Sequence, residues 1–414
     1  MPWDSPSFPV VICTLSEAQA AIIGQISSLP SEQVAVLSAL HRVAATSVTA
    51  SLQKPLYNQS TRDGFALSSA PESVINNNVV FRVVREIAAG CSCSGLLHSG
   101  EAARIMTGGM VPKGAIRVVP FEICDDQGGH VCLDPSALSG QQLFIQPAGS
   151  EIKKGKLLVA AGTDLQPEHL LMLAENGETE VTVSRLARVA VVCTGSELVT
   201  MAEKPGSGQK ISGNSMLLPA LISAENGRCD WSVTIPDELT LIVQKIREIL
   251  EQHPDMIITT GGMGPGKFDL MEQVFAELGG QVVYNQLVVR PGKFTLLGFI
   301  EKTPFFALPG PPPAVRLLFH ELVAPALRVM QGKQNALSPL VTATLANTLG
   351  VKKTGHLSLK GAVTQVSDSA LQVYPAGRME PINGIIHLDG KRLTAGYGEE
   401  VQVRLLGGLQ GLAA

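Results

Sequence analysis

Val189-Ala190-Val191-Val192-Cys193-Thr194-Gly195-Ser196-Glu197 and Met256-Ile257-Ile258-Thr259-Thr260-Gly261-Gly262-Met263-Gly264-Pro265-Gly266 share one pattern: an unbroken apolar run that ends in a glycine-bearing turn. An apolar run without polar alternation is what a strand buried on both faces requires, and such strands belong to parallel sheets covered by helices. Phe305-Phe306-Ala307-Leu308 leading into Pro309-Gly310-Pro311 repeats the pattern. Between these runs, helical periodicity over 217–225, 239–250 and 270–278 completes an alternation of strand and helix. It predicts an α/β domain with a largely parallel sheet over residues 186–330. In such sheets ligands lie beyond the carboxyl ends of the strands, where glycine-rich loops present free backbone N–H groups without a Cβ in the way.

Outward from that domain the pattern changes. Thr14 and Glu17 match a capping box ahead of a helix over 18–26, and a second helix is expected over 31–43. Short strands at 81–84, 100–105, 117–119 and 130–133, punctuated by glycine, predict a β-rich domain over 51–144. Residues 152–158, 167–173 and 181–183 mix strand and helix and are expected to return to the N-terminal helices, giving a discontinuous domain of 1–50 with 145–185. Strand patterns at 341–345 and 401–405 predict a C-terminal β domain over 331–414, of β-barrel-like form. The expected fold class is therefore α/β multidomain, with the α/β domain joined to β-rich domains.

A chain of 414 residues exceeds what one hydrophobic core serves, in keeping with several domains. Apolar residues make up 45% and charged residues 16%, which excludes a largely disordered chain and points to surface hidden in domain or subunit contacts, so a homo-oligomer is expected. The net charge of −4 provides no whole-protein field for nucleic acid or an anionic membrane; an anion must be captured locally. The N-terminus lacks the basic and apolar regions of a signal peptide, and no run reaches the ~18 apolar residues of a membrane span, so the expected compartment is the cytoplasm. Seven cysteines, an odd number in a long chain, read as reduced. Cys91-Ser92-Cys93 lacks the spacing of a zinc site.

The turn from Gly261 to Phe268 nearly matches a phosphate loop, but Phe268 stands where a hydroxyl would hold Mg²⁺, so an ATPase of that class is not indicated. It reads as an anion-binding turn or as a tight strand-to-helix connection. Asp63, Glu122, Glu151, Glu197 and Asp269 form a carboxylate set that could hold a hard cation or move protons, or could be solvated surface groups. Lys267, Arg290 and Lys293 flank the α/β loops and could neutralise a phosphate or oxyanion.

Taken in order, several segments resemble the molybdopterin molybdenumtransferase family and the related C-terminal half of gephyrin, over most of residues 15 to 330. They are Thr61-Arg62-Asp63-Gly64-Phe65-Ala66, Met106-Thr107-Gly108-Gly109 through Gly114-Ala115, Thr194-Gly195-Ser196-Glu197-Leu198, Gly261-Gly262 through Asp269, Arg290-Pro291-Gly292-Lys293 and Leu308-Pro309-Gly310. The resemblance implies conversion of adenylylated molybdopterin and molybdate, with Mg²⁺ or another divalent cation, to molybdenum cofactor and AMP. It also implies a homodimer whose cleft combines the α/β domain of one subunit with the β-rich domain of the other, and a molybdopterin adenylyltransferase-type partner. Carried over by position, Asp63, Thr107, Glu197 and Asp269 are the expected catalytic residues. Gly195, Gly261, Gly262, Arg290, Lys293 and Gly310 are expected to bind the cofactor, and Asp63, Glu151, Glu197 and Asp269 the metal. The chain departs from the family pattern at Ser196, where Asp is usual, at Pro265 and Pro311 to Pro313, where hydroxyl and amide groups are lost, at Ser212 ahead of Gly213-Asn214, and at Gly377-Arg378 in place of a serine-containing stretch. Those losses leave open a divergent paralogue that binds molybdopterin or nucleotide without catalysis, or a scaffold.

Overall fold

In the computed structural model, which describes residues 8–91, 95–264, 270–350, 354–367, 370–378, 380–391 and 394–406, the quoted runs lie side by side. The sheet order is Arg228–Ile235, Arg188–Thr194, Met256–Thr260, Thr303–Leu308, Leu296–Ile300 and Gln281–Tyr284. The first four strands are parallel; Leu296–Ile300 is antiparallel to both of its neighbours, so Gln281–Tyr284 at the edge runs in the direction of the first four. Alternate residues of each central strand enter different cores, as the two-residue period of a strand dictates. Val189, Val191 and Ile258 pack with the helices Asn214–Ala224 and Pro312–Leu318 through Leu218, Ile222 and Val315. Ala190, Val192 and Ile257 pack on the other face with Leu239–Leu250 and Met271–Glu277 through Ile246, Val274 and Phe275.

The helix Leu15–Gln25 carries the expected capping box, Thr14 accepting from the Glu17 amide. Its apolar face, Leu15, Ala18 and Ile22, enters the α/β core, and Ile12–Cys13 pairs in parallel with Gln286–Leu287. Residues 12–26, grouped by sequence with 31–50 and 145–185, therefore pack on the α/β layer, whose core includes Leu327 and Met330. The helix expected over 31–43 is absent. Ser31–Ala35 is a strand antiparallel to Glu180–Ser184, with Val34 opposite Val181, and Val36–Ala39 is a 3₁₀ turn. The weak helical pattern of this segment yields to cross-strand pairing of β-branched residues over a shared core of Val36, Ala39, Val181, Val183 and Leu173.

Gly64–Leu67, Asn78–Ile87, Glu101–Ile105, Arg117–Pro120 and His130–Leu133 belong to a seven-stranded sheet around Phe65, Phe81 and Val131. At the C-terminal end, Leu340–Leu345, Leu357–Ser367, Ala370–Pro375, Gly384–Leu388 and Glu400–Leu405 close into a five-stranded barrel filled by Val373, Ile386 and Val403. The barrel is fastened to the α/β layer in two ways. Val289–Arg290 pairs in parallel with Leu357 and Ser358. Glu321, fully buried on the π-helical turn Phe319–Val323, accepts from Gln19 Nε2 at 2.9 Å and Arg404 Nε at 3.2 Å and lies 2.6 Å from His387 Nε2. Burial pushes the Glu321 carboxyl upward, but the His387 hydrogen bond and the charges of His387 and Arg404 outweigh it and hold it below the ordinary carboxylate range.

Candidate active site

The carboxyl ends of the four parallel strands open on a cleft of about 780 Å³. Its floor is made by the turns after Thr194, Thr260 and Leu308, the segments on which the fold was read. Gly261 has φ +99°, and a Cβ there would stand 2.3 Å from the Thr194 carbonyl oxygen; only glycine lets this turn pass so close to the neighbouring strand. The Gly310 turn lies against it, a Cβ on Gly310 reaching 3.8 Å from the Gly261 Cα. Asn214, at the start of its helix, ties the two turns together: its Nδ2 donates to Thr260 Oγ1 at 3.2 Å and to the Gly310 carbonyl at 2.8 Å.

Charges are distributed around this floor. Glu197 Oε1 lies 2.8 Å from Lys210 Nζ, and that hydrogen bond holds the Glu197 carboxyl below its ordinary range despite partial burial. Ser196 and Asp237 exchange hydrogen bonds, the Ser196 amide donating to Asp237 Oδ2 at 3.1 Å and the Asp237 amide to Ser196 Oγ at 3.0 Å. Ser196 thus anchors a carboxylate at the cleft although it stands where the family pattern has an acid. Lys293 Nζ lies 4.9 Å from the centre of the Phe294 ring. Arg378 reaches the cleft from the barrel. Three cations and two carboxylates over a floor of glycine and hydroxyl groups suit a polyanion that also carries neutral polar groups.

Gly195, Glu197, Gly261, Gly262, Lys293 and Gly310, all named from sequence, line this cleft. Arg290 does not. It lines a separate groove of about 330 Å³ with Ser358 and Lys360 of the barrel, because its strand Val289–Arg290 pairs with Leu357 and Ser358 there. Asp63, Thr107 and Glu151 lie outside the cleft of their own chain. Asp63 Oδ1 accepts from the Thr107 amide at 2.6 Å and from its hydroxyl at 2.8 Å, bonds that lower the carboxyl's pKa. Glu151 is likewise lowered, by Gln146 at 2.6 Å and then by Lys54 at 3.3 Å. Glu122 is exposed on the turn Phe121–Ile123. Asp269, Lys267, Phe268, Pro265 and Cys93 lie outside the described residues; Cys91 is an exposed free thiol.

Among the described residues no three His, Cys, Asp or Glu side chains gather where a metal could be held, so Asp63, Glu151 and Glu197 do not form one donor set in a single chain. Sequence reading missed Lys210, Asp237 and Arg378 as cleft residues. Asp237 had a usable signal, since Pro236-Asp237 follows Arg228–Ile235 at the same sheet edge as the glycine turns. Arg378 had a weak one, as part of the Gly377-Arg378 stretch that stands in place of the family's serine-containing segment; Lys210 arrives by long-range packing and had none.

Residues 13–177 match the family description "MoeA N-terminal region (domain I and II)" and residues 190–329 match "Probable molybdopterin binding domain". A molybdopterin molybdenumtransferase of Staphylococcus aureus (strain COL) is 30% identical over 333 residues, 80% of this chain and 79% of the relative. One of Staphylococcus epidermidis (strain ATCC 12228) is 27% identical over 366 residues, 88% and 86% of the two chains. Among solved structures, a molybdopterin biosynthesis moeA protein from Pyrococcus horikosii superposes with a TM-score of 0.81 at 25% identity, covering 96% of this chain and 100% of that one.

Proposed function

The chain belongs to the molybdopterin molybdenumtransferase family, and from that premise we propose that its α/β cleft holds adenylylated molybdopterin while molybdate is joined to the pterin and AMP leaves. It is an enzyme of molybdenum cofactor biosynthesis. The observation that carries the proposal is the convergence of the Gly261 turn, Lys293 and the Glu197–Lys210 pair at the carboxyl ends of parallel strands. Backbone donors and cations fixed in place before the reaction stabilise charge that develops on a leaving phosphate without reorganising at that moment. The dithiolene of the pterin supplies soft sulfur ligands to molybdenum, one oxo group of the substrate oxyanion leaving as water with the two thiol protons, and one water cleaves the phosphoanhydride so that AMP departs and the pterin keeps its own phosphate.

The working unit in this proposal is a homodimer, in which Asp63 and Thr107 of one copy face the α/β cleft of the other. That neither lines the cleft of its own chain supports it, as do the exposed Leu37 and Leu171 of the unit that carries the Ser31–Ala35 strand. A divalent cation belongs to the proposal as a requirement tested by chelation; among the described residues of one chain no group of three His, Cys, Asp or Glu side chains could hold it. Reduced cysteines and a cytoplasmic setting, with an adenylyltransferase-type protein handing over the substrate, complete the reading. Among the described residues no helix is long and apolar enough to cross a membrane.

The test is to incubate the purified chain with adenylylated molybdopterin and molybdate and follow AMP release. Tight binding without AMP would instead favour a binding protein. Asp63→Ala and Lys293→Ala are expected to be inactive alone and to recover activity when co-expressed, because mixed dimers contain one intact cleft; absence of recovery would sink the shared-site arrangement.

A further inference from the structure

Two polar side chains in the wall of the cleft each carry an oxygen that receives no hydrogen bond from any nitrogen or oxygen of the protein. Asn214 is 7% exposed and Ser212 is 2% exposed, and both line the cleft. The amide of Asn214 cannot be turned round: its Nδ2 donates to the Gly310 carbonyl, which can only accept, so Oδ1 faces away from the turns. That Oδ1 has no hydrogen-bond partner, nor has Ser212 Oγ any nitrogen or oxygen partner, although it lies against the Cys193 thiol below. The backbone around them is satisfied, the Ser212 amide donating to Val199 O at 2.9 Å and its carbonyl accepting from Ser215 Oγ at 2.6 Å. Buried acceptors left without a donor are rare and call for a specific cause.

Both atoms can accept, and Asn214 Oδ1 can do nothing else. The phosphate and oxyanion parts of the substrate carry no hydrogen to give them, and those parts are matched by Lys210, Lys293 and Arg378 on the same cleft. We propose that Asn214 Oδ1 and Ser212 Oγ are specificity contacts that accept hydrogen bonds from the amine-bearing edge of the substrate's heterocycle. The proposal rests on the reading of the cleft as a nucleotide–pterin site. Adenine and pterin both present such an edge, an exocyclic amine beside ring nitrogens, and either ring satisfies the chemistry. A ring with an oxo group there would set acceptor against acceptor at Asn214 Oδ1, whereas the Ser212 hydroxyl can turn its proton toward it, so the pair attracts the amine together and Asn214 alone rejects the oxo form.

Ser212→Ala is the clean probe, because it removes a hydroxyl that no nitrogen or oxygen of the protein engages, whereas Asn214 variants also release the Gly310 turn. Wild type and S212A are titrated by calorimetry with AMP against IMP, and with a side-chain-phosphorylated pterin against its lumazine counterpart, in which an oxo group replaces the amine. Wild type is expected to prefer the amino form by about tenfold in one pair, which identifies the ring seated there. S212A is expected to bind the preferred amino form several-fold more weakly with its melting temperature unchanged, while Asn214 Oδ1 still disfavours the oxo form. Binding of both members of each pair with equal affinity overturns the contacts and leaves the cleft reading standing. Unchanged affinity of S212A for the amino form also overturns them. No binding in either pair overturns both.

Discussion

Gly261 and Glu197 show how differently two residues of one cleft are held. At Gly261 a side chain would meet backbone, which does not yield, and the residue already occupies the left-handed region. Gly261→Ala is therefore expected to lower stability by about 1–3 kcal/mol and to abolish ligand binding, measured by urea unfolding and calorimetry. Glu197 is fixed by one partly exposed ion pair with Lys210. Its folded pKa lies below the unfolded value, so its contribution is present at neutral pH and is lost as pH falls through the folded value. Glu197→Gln is expected to cost less than ~1 kcal/mol at pH 7, since solvent screens the pair, and progressively less as pH falls below the ordinary carboxylate range, as paired urea titrations would show. The glycine was legible in sequence because its requirement is local; Lys210 was not, because it depends on Lys210–Ile211 pairing beside Leu198–Val199.

Elements divided along the same line. The central strands were legible because burial on both faces leaves an unbroken apolar run, as in Met256–Thr260, every residue of which is buried. Ser31–Ala35 was misread because only two of its five residues are apolar and its strand character comes from Glu180–Ser184. The Val36 amide donates to the Thr179 carbonyl at 3.0 Å, and the two-residue period puts the Val34 amide on the same edge. Val34→Pro is expected to remove a ladder bond and cost about 3 kcal/mol, seen as a lower urea midpoint; an unchanged midpoint would mean the pairing contributes little.

For the molecule as a whole, Glu321 decides how the barrel that delivers Arg378 is held against the α/β layer. Removing the carboxylate leaves Arg404, 7% exposed, without its anion. Glu321→Leu is expected to destabilise the protein by about 3–5 kcal/mol, and adding Arg404→Met to recover part of the loss, both read by thermal unfolding. The pairing of Ile12–Cys13 with Gln286–Leu287 bears on synthesis. Val11 and its partner Asn285 stand 274 residues apart, so at ~5–20 residues per second the ribosome takes on the order of tens of seconds to supply the second after the first. During that interval Leu15, Ala18 and Ile22 have no layer to enter, and the earliest helix made is among the last to be seated. Nascent chains stalled near residue 280 should be cut by protease within residues 15–25, where the finished protein resists.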